Sequence, residues 1–143
     1  MALPEHIELE IVTPEREVLH ETVESVQIPG KDGYLGVLPG HAPLLTELGV
    51  GELSFLKGSA TQNLTVIGGI AEVLPSRVIV LAEISERASE IDVGRAQSAR
   101  DRAQTKLSKP GTDLDWGAES FAYEKALIRL HVAARKTGYS GKE

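Results

Sequence analysis

Near residue 85 the hydrophobic rhythm of this 143-residue chain changes. Before that point apolar residues recur at every second position, in short runs broken by glycine and proline. After it they recur every third or fourth position, and alanine displaces the β-branched residues. A period of two belongs to a half-buried strand, a period near 3.6 to an amphipathic helix. With the two patterns kept apart, the chain is constrained to an α+β fold by segregation. It reads as an all-β domain over residues 1–84, a polar linker over 85–91 and a helical part over 92–143.

In the first part, Ile7, Leu9 and Ile11 alternate with Glu8 and Glu10. Further strand-like runs follow around Val18, over 23–28, 34–38, 52–57, 63–67, 70–74 and 77–82, the last being rich in β-branched residues. Turns are expected at Thr13-Pro14, at Leu48-Gly49-Val50-Gly51, at Gly58-Ser59, at Gly68-Gly69 and at Pro75-Ser76. Short strands with turn signals every 8–12 residues point to a sandwich or a barrel. Aromatic residues are only 4% of the chain, so its core is expected to be mostly Val, Ile, Leu and Ala.

Residues 28–45 stand out within that domain. They hold three prolines and four glycines, yet 34–38 and Leu44-Leu45 are apolar enough for a core. Proline fixes φ and glycine admits positive φ, so the backbone here is held in defined turns between strands. Gly30-Lys31-Asp32-Gly33 suits a tight connection at a sheet edge, and Pro39-Gly40 suits the centre of a type II turn. Such a segment presents a loop on a stiff scaffold. His41, inside it, reads either as an interface contact or as a turn histidine bonded to a nearby carbonyl.

In the second part, Asp92 is placed to cap a helix running to about Leu107, with Val93, Ala96, Ala99 (or Arg100), Ala103 and Leu107 on one face. Residues 109–113 turn the chain. A second helix over about 114–136 carries Ala118, Phe121, Ala122, Ala126, Leu130 and Ala133 along its facing stripe, and residues 137–143 read as a frayed tail. The pattern is an αα-hairpin. Its contact stripe is mostly alanine, and a buried methyl contributes only about 0.8 kcal/mol. Gly94 costs roughly 1 kcal/mol more relative to alanine. A hairpin so weakly seated on a polar linker is expected to be a movable element.

The net charge of −6 argues against nucleic acid or an anionic lipid surface as partner, since both need a basic face. There is no cysteine, which excludes disulfides and thiolate chemistry. The N-terminus lacks the basic and apolar regions of a signal peptide. The most apolar stretch, 64–74, contains Glu72 and falls short of the roughly 20 residues of a membrane helix, so membrane contact is expected only through another protein. No nucleophile, phosphate-loop or zinc motif is present, and His6, His20, His41 and His131 have no metal-ligand spacing. No catalytic and no metal residues are therefore assigned. What remains is charge on the helices. Arg95, Arg102 and Lys106 line one flank of the first, and Lys125, Arg129 and Lys136 stack on the second. Phosphates could bridge two such flanks through guanidinium contacts. The alternative is a solvated face paired locally with Glu119, Glu124 or Asp101.

The run Gly33-Tyr34-Leu35-Gly36-Val37-Leu38-Pro39-Gly40-His41-Ala42-Pro43-Leu44-Leu45, supported by Gly68-Gly69-Ile70-Ala71-Glu72-Val73, resembles the epsilon-subunit family of bacterial F-type ATP synthases over essentially the full chain. That resemblance implies a sandwich of two five-stranded sheets followed by the αα-hairpin. It implies a non-catalytic place on the central rotor stalk, at the cytoplasmic face of the bacterial plasma membrane. The implied partners are the gamma subunit, the ring of c subunits and, through an extended hairpin, the catalytic head. The hairpin can then block ATP hydrolysis. No cofactor is required, but some members bind ATP as a regulatory ligand through the pattern I/L-D-x-x-R-A, matched here by Ile91-Asp92-Val93-Gly94-Arg95-Ala96. Carried over by position, the ATP ligands are Glu86, Asp92, Arg95, Ala96, Arg102 and Arg129. Where ATP-binding members have a further arginine one turn before Arg129, this chain has Lys125, which keeps the charge without the two-pronged geometry. The interface residues are Lys31, Asp32, Gly33 and Tyr34, in the loop that approaches the ring, and His41. Tyr34 stands where the family is often acidic, so a charge-pair contact there is not expected. A free-standing nucleotide-sensing protein of the same architecture, outside any motor, is the competing reading.

Overall fold

The computed structural model describes residues 3–109 and 113–138, the side chains of 136–138 excepted. The chain divides into two compact units, Met1–Glu86 and Arg87–Glu143.

Among the described residues the first unit has seven strands: β1 (Ile7–Val12), β2 (Glu17–Val23), β3 (Ser25–Gly30), β4 (Gly33–Val37), β5 (Leu44–Lys57), β6 (Ala60–Leu74) and β7 (Arg77–Ile84). Their order is β2-β1-β7-β6-β5-β3-β4. Every pairing is antiparallel except β1 with β7, which is parallel. The alternation in β1 is what the sequence leads one to expect, with Ile7, Leu9 and Ile11 fully buried. The edge strand β2 curls back towards β5. Just after it Glu24 N–H donates to Leu56 O (2.9 Å), and Lys57 forms an ion pair with Glu21. That curl gives two apolar layers facing one core, a β-sandwich. The core is aliphatic, and Phe55 is its one aromatic among the described residues.

Two of the expected turns are absent, and this changes the strand count. β5 runs straight through residues 48–51, with Leu48 paired to Gly69 and Val50 to Ile67. β6 runs through Gly68-Gly69, although both glycines have positive φ (+72° and +124°). At 14 and 15 residues these strands are more than twice the common length. They make one continuous order of seven strands where the resemblance implied two five-stranded sheets. Gly69 permits the close approach of β7, because a Cβ there would lie 2.1 Å from Leu81 O. The expected turns at Gly58-Ser59, Pro75-Ser76 and Pro39-Gly40 are present. In the last, His41 N–H donates to Leu38 O (3.1 Å) and Gly40 sits at φ +89°, as the third position of a type II turn requires.

In the second unit, a 3₁₀ turn (Ala88–Glu90) precedes α1 (Val93–Leu107) and α2 (Trp116–Gly138). Asp92 caps α1, its carboxylate accepting from Arg95 N–H at 3.1 Å. Asp115 does the same for α2, accepting from Ala118 N–H at 3.1 Å, so that helix starts slightly later than residue 114. Ala96 and Ala103 on α1 and Ala126 and Ala133 on α2 are buried. Val93, Ala118 and Phe121 are exposed, against expectation. Phe121 precedes Ala126 by five residues, which places it about 140° round the helix from the buried stripe. Of the stretch read as linker, Ala88 and Ile91 pack with Ile128, Val132 and Ala133. Of the proposed turn at 109–113, residues 110–112 lie outside the described residues, as do 139–143 of the proposed tail and the side chain of Lys136.

Candidate functional site

The loop between β3 and β4 is a two-residue turn, Lys31-Asp32, closed by the Gly30–Gly33 pair. A Cβ on Gly30 would lie 2.6 Å from Gly33 O, and Gly33 has φ +142°, so both ends of the turn need glycine. Lys31 is fastened to β5 twice. Its N–H donates to Glu47 O (2.9 Å) and its ammonium pairs with the Glu47 carboxylate (3.1 Å). The hydrogen bond to that carboxylate, and then its charge, raise the lysine pKa above the ordinary value. Asp32 is exposed at the tip. Tyr34, 54% exposed, pairs with Pro29 in the ladder, and its hydroxyl accepts from Glu52 N–H at 3.0 Å. Lys31, Asp32, Gly33 and Tyr34 thus form one stiff projection.

His41 belongs to a different turn, held beside the β6–β7 connection by a Gly40 N–H to Pro75 O bond of 2.7 Å. Its Nδ1 lies 2.7 Å from Ala42 O. A carbonyl only accepts, so Nδ1 carries the proton. This is the turn histidine of the alternative reading.

The helical residues fall into two groups. Ile91 packs with Val132 and Ala133, which sets the start of α1 beside the C-terminal half of α2. Asp92, Arg95, Ala96 and Arg129 therefore share one end of the hairpin. Arg102 is two turns further along α1, roughly 10 Å by helical rise, on the same side as Arg95. Both arginines are exposed, and among the described residues neither has an ion-pair partner. Lys106 instead pairs with Glu119 (3.3 Å) across the hairpin, and Arg100 with Asp101 (3.0 Å), as the local-pairing alternative has it for this part of the flank. Lys125 sits 4.7 Å over the Phe121 ring, a cation–π contact. Ala96 is buried and its N–H bonds Asp92 O, so its part in any ligand contact is through the backbone and the small side chain.

Glu86 belongs to the first unit. There Thr65 Oγ1 donates to its carboxylate (3.1 Å) and accepts from its N–H (2.9 Å), while the buried Ser85 hydroxyl donates to Thr65 O (2.8 Å). Sequence reading missed Thr65 and Ser85. Nothing but a threonine inside an apolar run marked the first, and its partner is 21 residues away. Among the described residues no cluster of His, Asp and Glu could hold a metal ion, and no helix is long and apolar enough to cross a membrane.

Two family models match the chain in succession. The ATP synthase Delta/Epsilon chain beta-sandwich domain matches residues 6–88, and the long alpha-helix domain of the same chain matches residues 89–134. The ATP synthase epsilon chain of Solibacter usitatus is 46% identical over 94% of this chain and 100% of its own length. That of Koribacter versatilis is 53% identical over 74% of this chain and 75% of its own. Among solved structures, a chain of the Euglena gracilis mitochondrial ATP synthase (OSCP/F1/c-ring, rotational state 1) superposes with a TM-score of 0.80. It is 24% identical and covers 94% of this chain and 84% of that one, which shows a shared fold.

Proposed function

The chain belongs to the ATP synthase delta/epsilon family, and from that premise we propose how its two units are used. As a family member it is a non-catalytic rotor subunit of an F-type ATP synthase. In our reading the β-sandwich attaches it to the gamma subunit and presents the Lys31–Tyr34 projection to the ring of c subunits. The helical hairpin regulates ATP hydrolysis by reaching the catalytic head when extended. Proton-driven rotation is thereby passed through a stiff part, while a weakly cored part acts as the brake. The complex would lie at the cytoplasmic face of a bacterial plasma membrane, with this chain held there by its protein partners.

The observation that carries the reading is that both units, in order, match the two domains of one family. The test is to tag the full chain and recover it from membranes. Gamma and c subunits should elute with it, and recovery of the chain alone overturns the reading. Deleting residues 88–143 should leave that association intact and raise the hydrolysis rate. Loss of gamma in the truncation would refute the division of labour.

We further propose ATP as a regulatory ligand of the hairpin. The chemistry of the residues fits a polyphosphate. Arg95 and Arg102 are exposed guanidinium groups without ion-pair partners among the described residues, and Arg129 lies at the same end as Arg95. Bidentate contacts from arginine suit phosphate oxygens. Asp92, already the cap of α1, holds Arg95 and Ala96 at the helix start. Glu86, which the resemblance adds to the set, belongs to the first unit, where Thr65 holds its carboxylate. Titration calorimetry on the full chain should show ATP binding that Arg95→Ala weakens at least tenfold. Identical isotherms for the two proteins would remove the site.

A further inference from the structure

The registers of β3 contain an interruption at Pro29. From Gln27 to Gly30 the strand advances three residues, while its partner β5 advances six, from Ser54 to Leu48. Residues 49–53 of β5 are thus left without ladder partners in β3, and Pro29, which faces the gap, has no N–H to offer. An edge hairpin beside such a gap would be held on one side only, since among the described residues β4 has β3 as its single strand neighbour. The side chain of Tyr34 closes the gap. From β4 it reaches across β3, and its hydroxyl accepts from the Glu52 N–H of β5 at 3.0 Å.

The surrounding residues are fitted to that reach. A Cβ at Gly51 would lie 2.5 Å from Pro29 Cβ and 2.7 Å from the Tyr34 hydroxyl, so only glycine leaves the path open. Lys31 adds a second tie from the tip to β5 through Glu47. Two residues of the β3–β4 hairpin, Tyr34 and Lys31, are thus bonded to β5 on the far side of the interruption at Pro29.

We propose that Tyr34 is a positioning residue, a strap over Pro29 whose hydroxyl sets the direction of the Lys31-Asp32 tip and so the efficiency with which rotation is coupled. This rests on the reading that the tip faces the ring. It assigns Tyr34 an internal role: the phenol braces the loop from behind, and the exposed Asp32 is left to meet the partner. A tip that transmits torque has to resist deflection, and a residue locked by its supporting shell does so better than one free to hop rotamers.

The test uses Tyr34→Phe in the full chain, which keeps the ring and removes only the oxygen. Amide exchange at Glu52 should quicken about fivefold, the ratio carried by a typical net hydrogen bond. In membrane vesicles containing the complex, proton pumping per ATP hydrolysed should fall. Unchanged exchange at Glu52 overturns the strap. Faster exchange with normal coupling overturns the positioning role, and reversal of the tip charge by Asp32→Lys then tells what else has failed. If Asp32→Lys lowers coupling, the tip reading stands and only the strap's role is lost. If it does not, the tip reading falls as well. Val80→Ala, a core change in β7, controls for general loosening. Coupling should survive it, and an equal fall with Val80→Ala would assign the Tyr34→Phe effect to stability alone.

Discussion

The two units bury their apolar residues on different scales. Among the described residues, nineteen buried side chains from every strand of the first unit join in one cluster, nearly all of them branched aliphatics. In the second unit a cluster of Ile91, Val132 and Ala133 is supplemented by single alanines along the helix contact. Branched side chains fill the space between two sheet layers and resist removal one by one. Alanines let helices approach closely but take little surface out of water. Packing of this kind makes the first unit harder to deform than the second. The grip and the brake proposed above would need those opposite properties.

The comparison breaks most readily at Phe55. Phe55→Ala should destabilise the first unit by about 4 kcal/mol through the cavity it leaves, read as a fall in the urea midpoint of the β-sheet signal. If helical circular dichroism is lost at the same midpoint, the two units unfold as one and the contrast is wrong.

Val132→Ala tests the other side. Val132 is fully buried against Ile91, and its truncation should cost roughly 2 kcal/mol. Helical signal should melt earlier while the sheet transition stays in place. A smaller effect comes from the cap. Asp92→Ala removes the carboxylate that holds Arg95 N–H and should cost about 1 kcal/mol, with Asp92→Asn restoring most of it. Proton exchange in the first turn of α1 reports this directly.

The smallest effect is electrostatic and confined to the sandwich surface. Arg77 donates to Glu10 (2.6 Å) and by that bond, more than by its charge, holds the Glu10 carboxyl below its usual pKa. A lowered folded-state pKa means stability that is present above the ordinary carboxylate range and is lost as pH falls through the depressed value. In Arg77→Met the neutral plateau should therefore drop slightly and the acid limb flatten by the same amount, with stability at the lowest pH unchanged. Because both side chains are on the surface, salt should mask the difference.

Much of this was legible beforehand, and the places where reading failed are specific. The strand alternation of β1, the type II turn at Pro39-Gly40, the Gly58-Ser59 hairpin and the Asp92 cap all rest on sterics or hydrogen bonds within a few residues. Glycine misled twice. Gly49-Val50-Gly51 and Gly68-Gly69 look like breaks, yet each sits inside a long strand, serving a close approach to Pro29, Tyr34 or β7. A glycine that ends a strand and one that lets another backbone come near are alike in sequence. The helix stripe failed at Val93, Ala118 and Phe121, where the apolar spacing admitted more than one face.

By itself, then, the sequence settled which segments are strands and helices, where most turns fall and where the chain changes character, because those choices are made by neighbours along the backbone. The tertiary structure alone decided the parallel β1–β7 pairing, the three-residue slip beside Pro29, the Tyr34–Glu52 strap and the Lys106–Glu119 tie. Each of these joins groups far apart in the chain. Such pairs form only once folding has brought the strands and helices that carry them side by side.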